Sequence, residues 1–163
     1  MKLSAQEEYG LRCLLQVAQR SGPEPVQIPD IAAAEGLSPE YVAKLMRVLR
    51  QGGLVVSIRG ATGGYRLARP ASAITLQQAI EVLDGPLFND SFCEAHTGQG
   101  PHCVHSPTAC SIRTLWRWVG GALDKVLRQI TLADLISGPT SMGARLTKAG
   151  TGTVLASDGV GNE

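Results

Sequence analysis

The sequence predicts a mainly α-helical chain with one small β-hairpin: a winged helix–turn–helix head followed by a long C-terminal helix. Three observations predict it. Helix caps and apolar periodicity recur in three segments between Ser4 and Gln51. A glycine-rich turn, Gly60-Ala61-Thr62-Gly63-Gly64, then joins two short runs with strand character. One long periodic segment, Ile112 to Ile130, follows an irregular stretch.

The first helix starts at Ser4. Ser4 and Glu7 form an S-x-x-E capping box, in which each side chain satisfies a free backbone N–H of the first turn. Leu11, Leu14, Leu15 and Ala18 recur at helical spacing and predict one buried stripe, and Cys13 reads as a small buried residue. Ser21-Gly22-Pro23 ends the helix. Pro29 to Glu35 is the second helix, with Ile31 and Ala32 inward, and Gly36-Leu37-Ser38 is a tight turn. Ser38 is an N-cap, and Pro39 takes the first helical position, where its missing N–H costs nothing. The third helix buries Val42, Leu45, Met46 and Leu49 and stops at Gly52-Gly53. Leu54 to Arg59 and Tyr65 to Leu67 form the hairpin. Thr75 and Gln78 cap a further helix to Asp84, with Ile80 and Leu83 inward. Gly85 to Ala109 is irregular. Thr131 and Asp134 cap a last short turn after the long helix.

These elements divide the chain into a winged-helix domain (1–84), a cysteine-rich loop (85–111), a long helix with a short terminal one (112–137), and a tail (138–163). The tail holds six glycines and four threonines in 26 residues, so it is expected to be disordered.

With 163 residues, the chain is too short for a TIM barrel. No apolar run is long enough to span a membrane. The N-terminal residues carry Glu7 and Glu8 and no long apolar stretch, so no secretory signal is predicted and a cytoplasmic location is expected. No nucleophile–base pair, C-x-x-C motif or phosphate-cradling loop is legible, and no enzymatic activity is expected.

The net charge is only +1, but its distribution is uneven. From Tyr41 to Ile80 stand Lys44, Arg47, Arg50, Arg59, Arg66 and Arg69 and no acid, which suits a polyanion-facing surface. In a helix–turn–helix the second helix enters the major groove of double-stranded DNA and its first residues meet base edges. Ser38, Pro39, Glu40, Tyr41 and Lys44 occupy that place, and Arg47 and Arg50 follow toward phosphate. In the wing, Arg59, Gly60, Gly63, Gly64 and Tyr65 are the candidate DNA residues.

Cys93, Cys103 and Cys110 lie within 18 residues, together with His96, His102 and His105. Clustered thiols in a reducing compartment suggest metal or redox chemistry. The spacing Cys-x9-Cys-x6-Cys lacks the close pairs of a structural zinc site, and thiolates suit an iron–sulfur cluster. A cluster normally takes four protein ligands. Glu8, His96, His102 and His105 are the candidates for the fourth.

The apolar face of Ile112 to Ile130 needs a partner. Gly120-Gly121 costs roughly 1 kcal/mol per residue within a helix, which close approach of a second helix compensates. A homodimer would set two recognition helices about 34 Å apart, matching a palindromic operator.

The run Arg59-Gly60-Ala61-Thr62-Gly63-Gly64-Tyr65-Arg66-Leu67 with Arg69-Pro70-Ala71 resembles the wing signature of the Rrf family of bacterial transcription regulators (IscR-, NsrR-, RirA- and RsrR-type). Met1-Lys2-Leu3-Ser4 with Tyr9-Gly10-Leu11-Arg12, and Ile130-Thr131-Leu132-Ala133-Asp134-Leu135, resemble it too. The resemblance implies a homodimer, a long dimerisation helix and an iron–sulfur cluster, 2Fe–2S or 4Fe–4S. It favours Glu8 as fourth ligand, because a carboxylate from the partner's first helix fills that role in NsrR- and RsrR-type members. IscR-type members place a histidine three residues after the last cysteine, where this chain has Arg113. RsrR-type members use a first-helix histidine where Arg12 stands. The expectation is thus a DNA-binding regulator whose operator affinity follows cluster status, redox state, nitric oxide or iron. The alternative is a cluster-free winged-helix regulator using a thiol switch, zinc or a small-molecule ligand.

Overall fold

The computed structural model describes residues 4–20, 22, 24–60, 62–86, 100 and 110–148. In chain order these form α1 (Ala5–Gln19), α2 (Ile28–Glu35), α3 (Pro39–Gln51), β1 (Val55–Ile58), β2 (Gly64–Leu67), a 3-10 turn (Ala71–Ala73), α4 (Leu76–Asp84), α5 (Ser111–Leu127), α6 (Leu132–Ser137) and α7 (Pro139–Lys148). Of the expected cysteine-rich loop, only Gly85, Pro86, Gly100, Cys110 and Ser111 are described.

The predicted caps are present. The Ser4 hydroxyl accepts from the Glu7 amide at 3.1 Å, and the Glu7 carboxylate accepts from the Ser4 amide at 2.7 Å. Thr75 and Gln78 repeat the arrangement on α4. α2 ends at Gly36 in the left-handed conformation (φ 65°), which turns the chain sharply into α3. The stripe of α1 is rotated from its expected position. Gly10, Cys13, Leu14, Val17 and Ala18 are buried, while Leu11 and Leu15 are only half-buried. Leucines drew the expectation, but α4 crosses at Gly10, where the missing side chain admits Leu83.

One core joins Leu14 and Val17 of α1, Ile31 of α2, Val42, Leu45, Met46 and Leu49 of α3, and Leu83 of α4. β1 and β2 pair antiparallel, with Val55 opposite Leu67 and Ile58 opposite Gly64. β2 also makes one rung with Val26, outside the β1–β2 ladder, exchanging backbone bonds of 2.8 and 2.9 Å through Tyr65. A Cβ on Gly64 would lie 2.5 Å from the Val26 carbonyl oxygen. Gly64→Ala must therefore push the wing off that rung, and is expected to cost about 1–3 kcal/mol, read as a lower melting temperature.

The C-terminal part is stitched back onto the head. The Leu76 amide donates to the Ile130 carbonyl and the Leu132 amide to the Ile74 carbonyl, both at 2.9 Å, and Leu132 joins the main core. The expected disordered tail needs correction over its first part: 139–148 is the helix α7, and Leu146 packs with Leu76 and Ile130. Composition averaged over 138–163 hid the pair Met142 and Leu146, spaced i, i+4 on one face. The rest of the tail lies outside the described residues.

Asp134 anchors α7. It is 3% exposed and accepts from the Thr131 amide (2.8 Å) and hydroxyl (2.6 Å), while Arg145 pairs with it at 2.7 Å. Burial pushes its pKa up, but the Thr131 bonds, Arg145 and Ser141 outweigh this and hold the carboxyl below its usual range. A depressed carboxylate pKa gives stability that is present at neutral pH and lost as pH falls through the folded-state value. Asp134→Asn should thus cost about 2 kcal/mol at neutral pH. The melting temperatures of variant and wild type should converge in strong acid.

Candidate nucleic-acid interface and metal ligands

α3 separates its two faces cleanly. Val42, Leu45, Met46 and Leu49 are buried, Glu40, Lys44 and Arg47 are exposed on the opposite side, and Arg50 is exposed at its flank. Ser38 and Pro39 open the helix and are exposed, with the Ser38 hydroxyl accepting from the Tyr41 amide at 3.2 Å. Tyr41 is half-buried, its ring meeting Tyr9 of α1 edge-on at 6.0 Å. This contact links α1 to the start of α3, and leaves only part of Tyr41 for a ligand.

In the wing, Arg59 and Gly60 are exposed beside the turn, which is closed by a 3.0 Å bond from the Gly63 amide to the Gly60 carbonyl. Arg66 is exposed on β2 opposite Val56. Gly64 and Tyr65 are half-buried and serve the Val26 rung described above. Arg69, part of the same acid-free stretch, has a different task. Its guanidinium donates to the carbonyls of Ala73 (3.1 Å) and Gly53 (3.4 Å) and to the Gln78 side chain (3.0 Å). It ties the base of the wing to α4. Charge alone could not separate it from the five exposed bases, although its place beside Pro70, at the end of the hairpin, is a signal of a structural role.

Of the candidate cluster ligands, Cys93, Cys103, His96, His102 and His105 lie outside the described residues. Cys110 is the N-cap of α5, and its sulfur accepts from the Arg113 amide at 3.5 Å. A sulfur at a helix N-terminus sits where negative charge is favoured. Glu8 is half-exposed in the first turn of α1 and pairs with Arg12 at 2.7 Å. That contact and the coulombic pull of Glu8 raise the Arg12 pKa, and the guanidinium also stands 5.7 Å over the Tyr9 ring. Cys13 is fully buried, and desolvation pushes its thiol up to about 12, so it is an inert core residue. Among the described residues no group of three potential metal ligands gathers. Cys110 and Glu8 nonetheless fit a cluster: both are partly accessible, and they offer a sulfur and a carboxylate at helix N-termini.

No residue of α5 is buried in the single chain. Ile112, Leu115, Trp116 and Trp118 are 60, 49, 37 and 76% exposed. A Cβ added at Gly121 would meet nothing within 4 Å. Among the described residues nothing therefore accounts for a glycine at position 121 in mid-helix. Among the described residues no helix is long and apolar enough to cross a membrane.

Residues 3–138 match the Rrf2 family model, described as an iron-dependent transcriptional regulator. Protein rrf2 of Nitratidesulfovibrio vulgaris is 37% identical over 139 residues, covering 83% of this chain and 87% of that protein. The structure of CymR (YrzC), the global cysteine regulator of B. subtilis, superposes with a TM-score of 0.66 at 34% identity, covering 85% of this chain and 98% of that one. The T. potens IscR structure gives 0.64 at 36% identity, covering 84% and 87%.

Proposed function

Because this chain belongs to the Rrf2 family of DNA-binding transcriptional regulators, we propose that it binds a palindromic operator as a homodimer and that an iron–sulfur cluster sets its affinity. The observation that carries the DNA-binding part is the two-sided α3, with Lys44, Arg47 and Arg50 presented outward beside an exposed wing arginine. Lys44, and Glu40 before it, stand near enough to the helix start to meet base edges. Arg47 and Arg50 follow along the exposed part of the helix and suit phosphate.

The ligand set is Cys93, Cys103 and Cys110 of one protomer with Glu8 of the partner subunit. When bound, the cluster supplies a centre whose charge and integrity respond to oxidants, nitric oxide and iron supply. Cys110 holds the start of α5, so a bond to its sulfur bears directly on that helix. Glu8 has Arg12 as its present partner, and ligation would take that carboxylate from Arg12. The ring contact from Tyr9 to Tyr41 continues from α1 into α3. The affinity change is then a difference between two arrangements of α1 and α3, typically about 1–3 kcal/mol for such coupling.

A second reading, a thiol switch without metal, is supported by the likeness to CymR, whose Staphylococcus aureus relative has been solved in an oxidized form at 30% identity. Anaerobic purification separates the two. Wild-type protein is expected to be coloured, with iron and sulfide in equal amounts. The Cys93→Ala, Cys103→Ala, Cys110→Ala triple variant should be colourless and still dimeric. Full iron content in the triple variant would overturn this ligand set, and a colourless wild type would favour the thiol switch.

A further inference from the structure

A cavity of about 320 Å3 opens between the end of α1, the segment leading into α2, and β2. Its floor is apolar: Val17, Ala18 and Val26 are 1, 5 and 6% exposed. Its exposed wall carries Arg20, Glu24 and Arg66. Among the described residues none of these three takes part in an ion pair. Arg69 also lines the cavity, but its guanidinium is committed to Gly53, Ala73 and Gln78.

The lining carries both signs of charge. Arg20 and Arg66 suit a carboxylate. Glu24 suits an ammonium group. The volume stands at the small end of ligand sites, which leaves room for a short apolar side chain over the buried floor. We propose that this cavity binds a small zwitterion with an apolar side chain, the class of the aliphatic α-amino acids. The site adjoins Tyr65, whose backbone rung to Val26 ties the wing to the α1–α2 segment. An occupant would therefore bridge the α1 end and the wing. The proposal is independent of whether the cysteines hold a cluster.

Thermal melting of the full chain tests it. Leucine, valine and methionine are each added at about 10 mM, beside isoamylamine and isocaproate, which each lack one pole of leucine. At least one amino acid is expected to raise the melting temperature by about 2–4 °C. Isoamylamine and isocaproate should do so at least about fivefold less. Glu24→Gln and Arg66→Gln, both at exposed positions, should melt as wild type without ligand and lose the shift. The proposal is overturned if no amino acid shifts the melt, if isocaproate or isoamylamine matches leucine, or if both variants keep the shift.

Discussion

Changing Lys44, Arg47 and Arg50 together to alanine is expected to lower operator affinity by about two to three orders of magnitude while leaving the melting temperature nearly unchanged. Each side chain is exposed, so its loss removes no core contact. Three contacts worth roughly 1–1.4 kcal/mol each sum to about 3–4 kcal/mol, and about 1.4 kcal/mol is tenfold in affinity. Part of the loss is counterion release, so the affinity of the variant should also depend less steeply on salt. Gel shifts at two salt concentrations read both effects. Unchanged affinity would remove α3 from the interface. Arg69→Ala provides the contrast: it should lower the melting temperature, because its three hydrogen bonds hold the wing base to α4.

The second large effect is expected on α5. Leu115→Glu places a charge on a face that is apolar and exposed in the single chain. Gly121→Leu fills a position where, among the described residues, nothing stands within 4 Å of an added Cβ. Leucine is about 1 kcal/mol more favourable than glycine in a helix, so the isolated helix gains from this change. If a second copy packs there, both variants become monomeric by sedimentation velocity. Operator affinity then falls by about 10²–10⁴, because the second half-site no longer binds intramolecularly. A dimeric Gly121→Leu protein with wild-type affinity would place the subunit interface elsewhere.

The head was legible because local chemistry there is unambiguous. Ser4 with Glu7, Ser38 with Pro39, and Thr75 with Gln78 each specify a helix start whatever lies around them, and all three starts are present. The α1 stripe was less legible, because Gly10 is buried by what it lacks: room for Leu83 is a property of two elements together. α7 was hidden by its neighbours in sequence, since its docking depends on Asp134 accepting Arg145 and on Leu146 meeting Leu76 and Ile130. Asp134 is a cap, as its spacing from Thr131 predicts, but its second oxygen serves α7. In the interface, the periodicity of α3 separated its buried side chains from its exposed ones. It could not show that Tyr41 leans on Tyr9 or that Arg69 faces inward to carbonyls. Among the proposed ligands, Glu8 is free of capping duty, which Glu7 performs, and the structure gives it Arg12 as its partner.

Cluster control of DNA binding is tested most directly by measuring operator affinity on one anaerobic preparation before and after its iron and sulfide are removed. Coloured, cluster-loaded dimer and colourless dimer are expected to differ in affinity by about 5- to 150-fold, and reconstitution should restore the first value. Material free of iron and sulfide as isolated without air, or loaded and stripped forms with the same affinity, would contradict it.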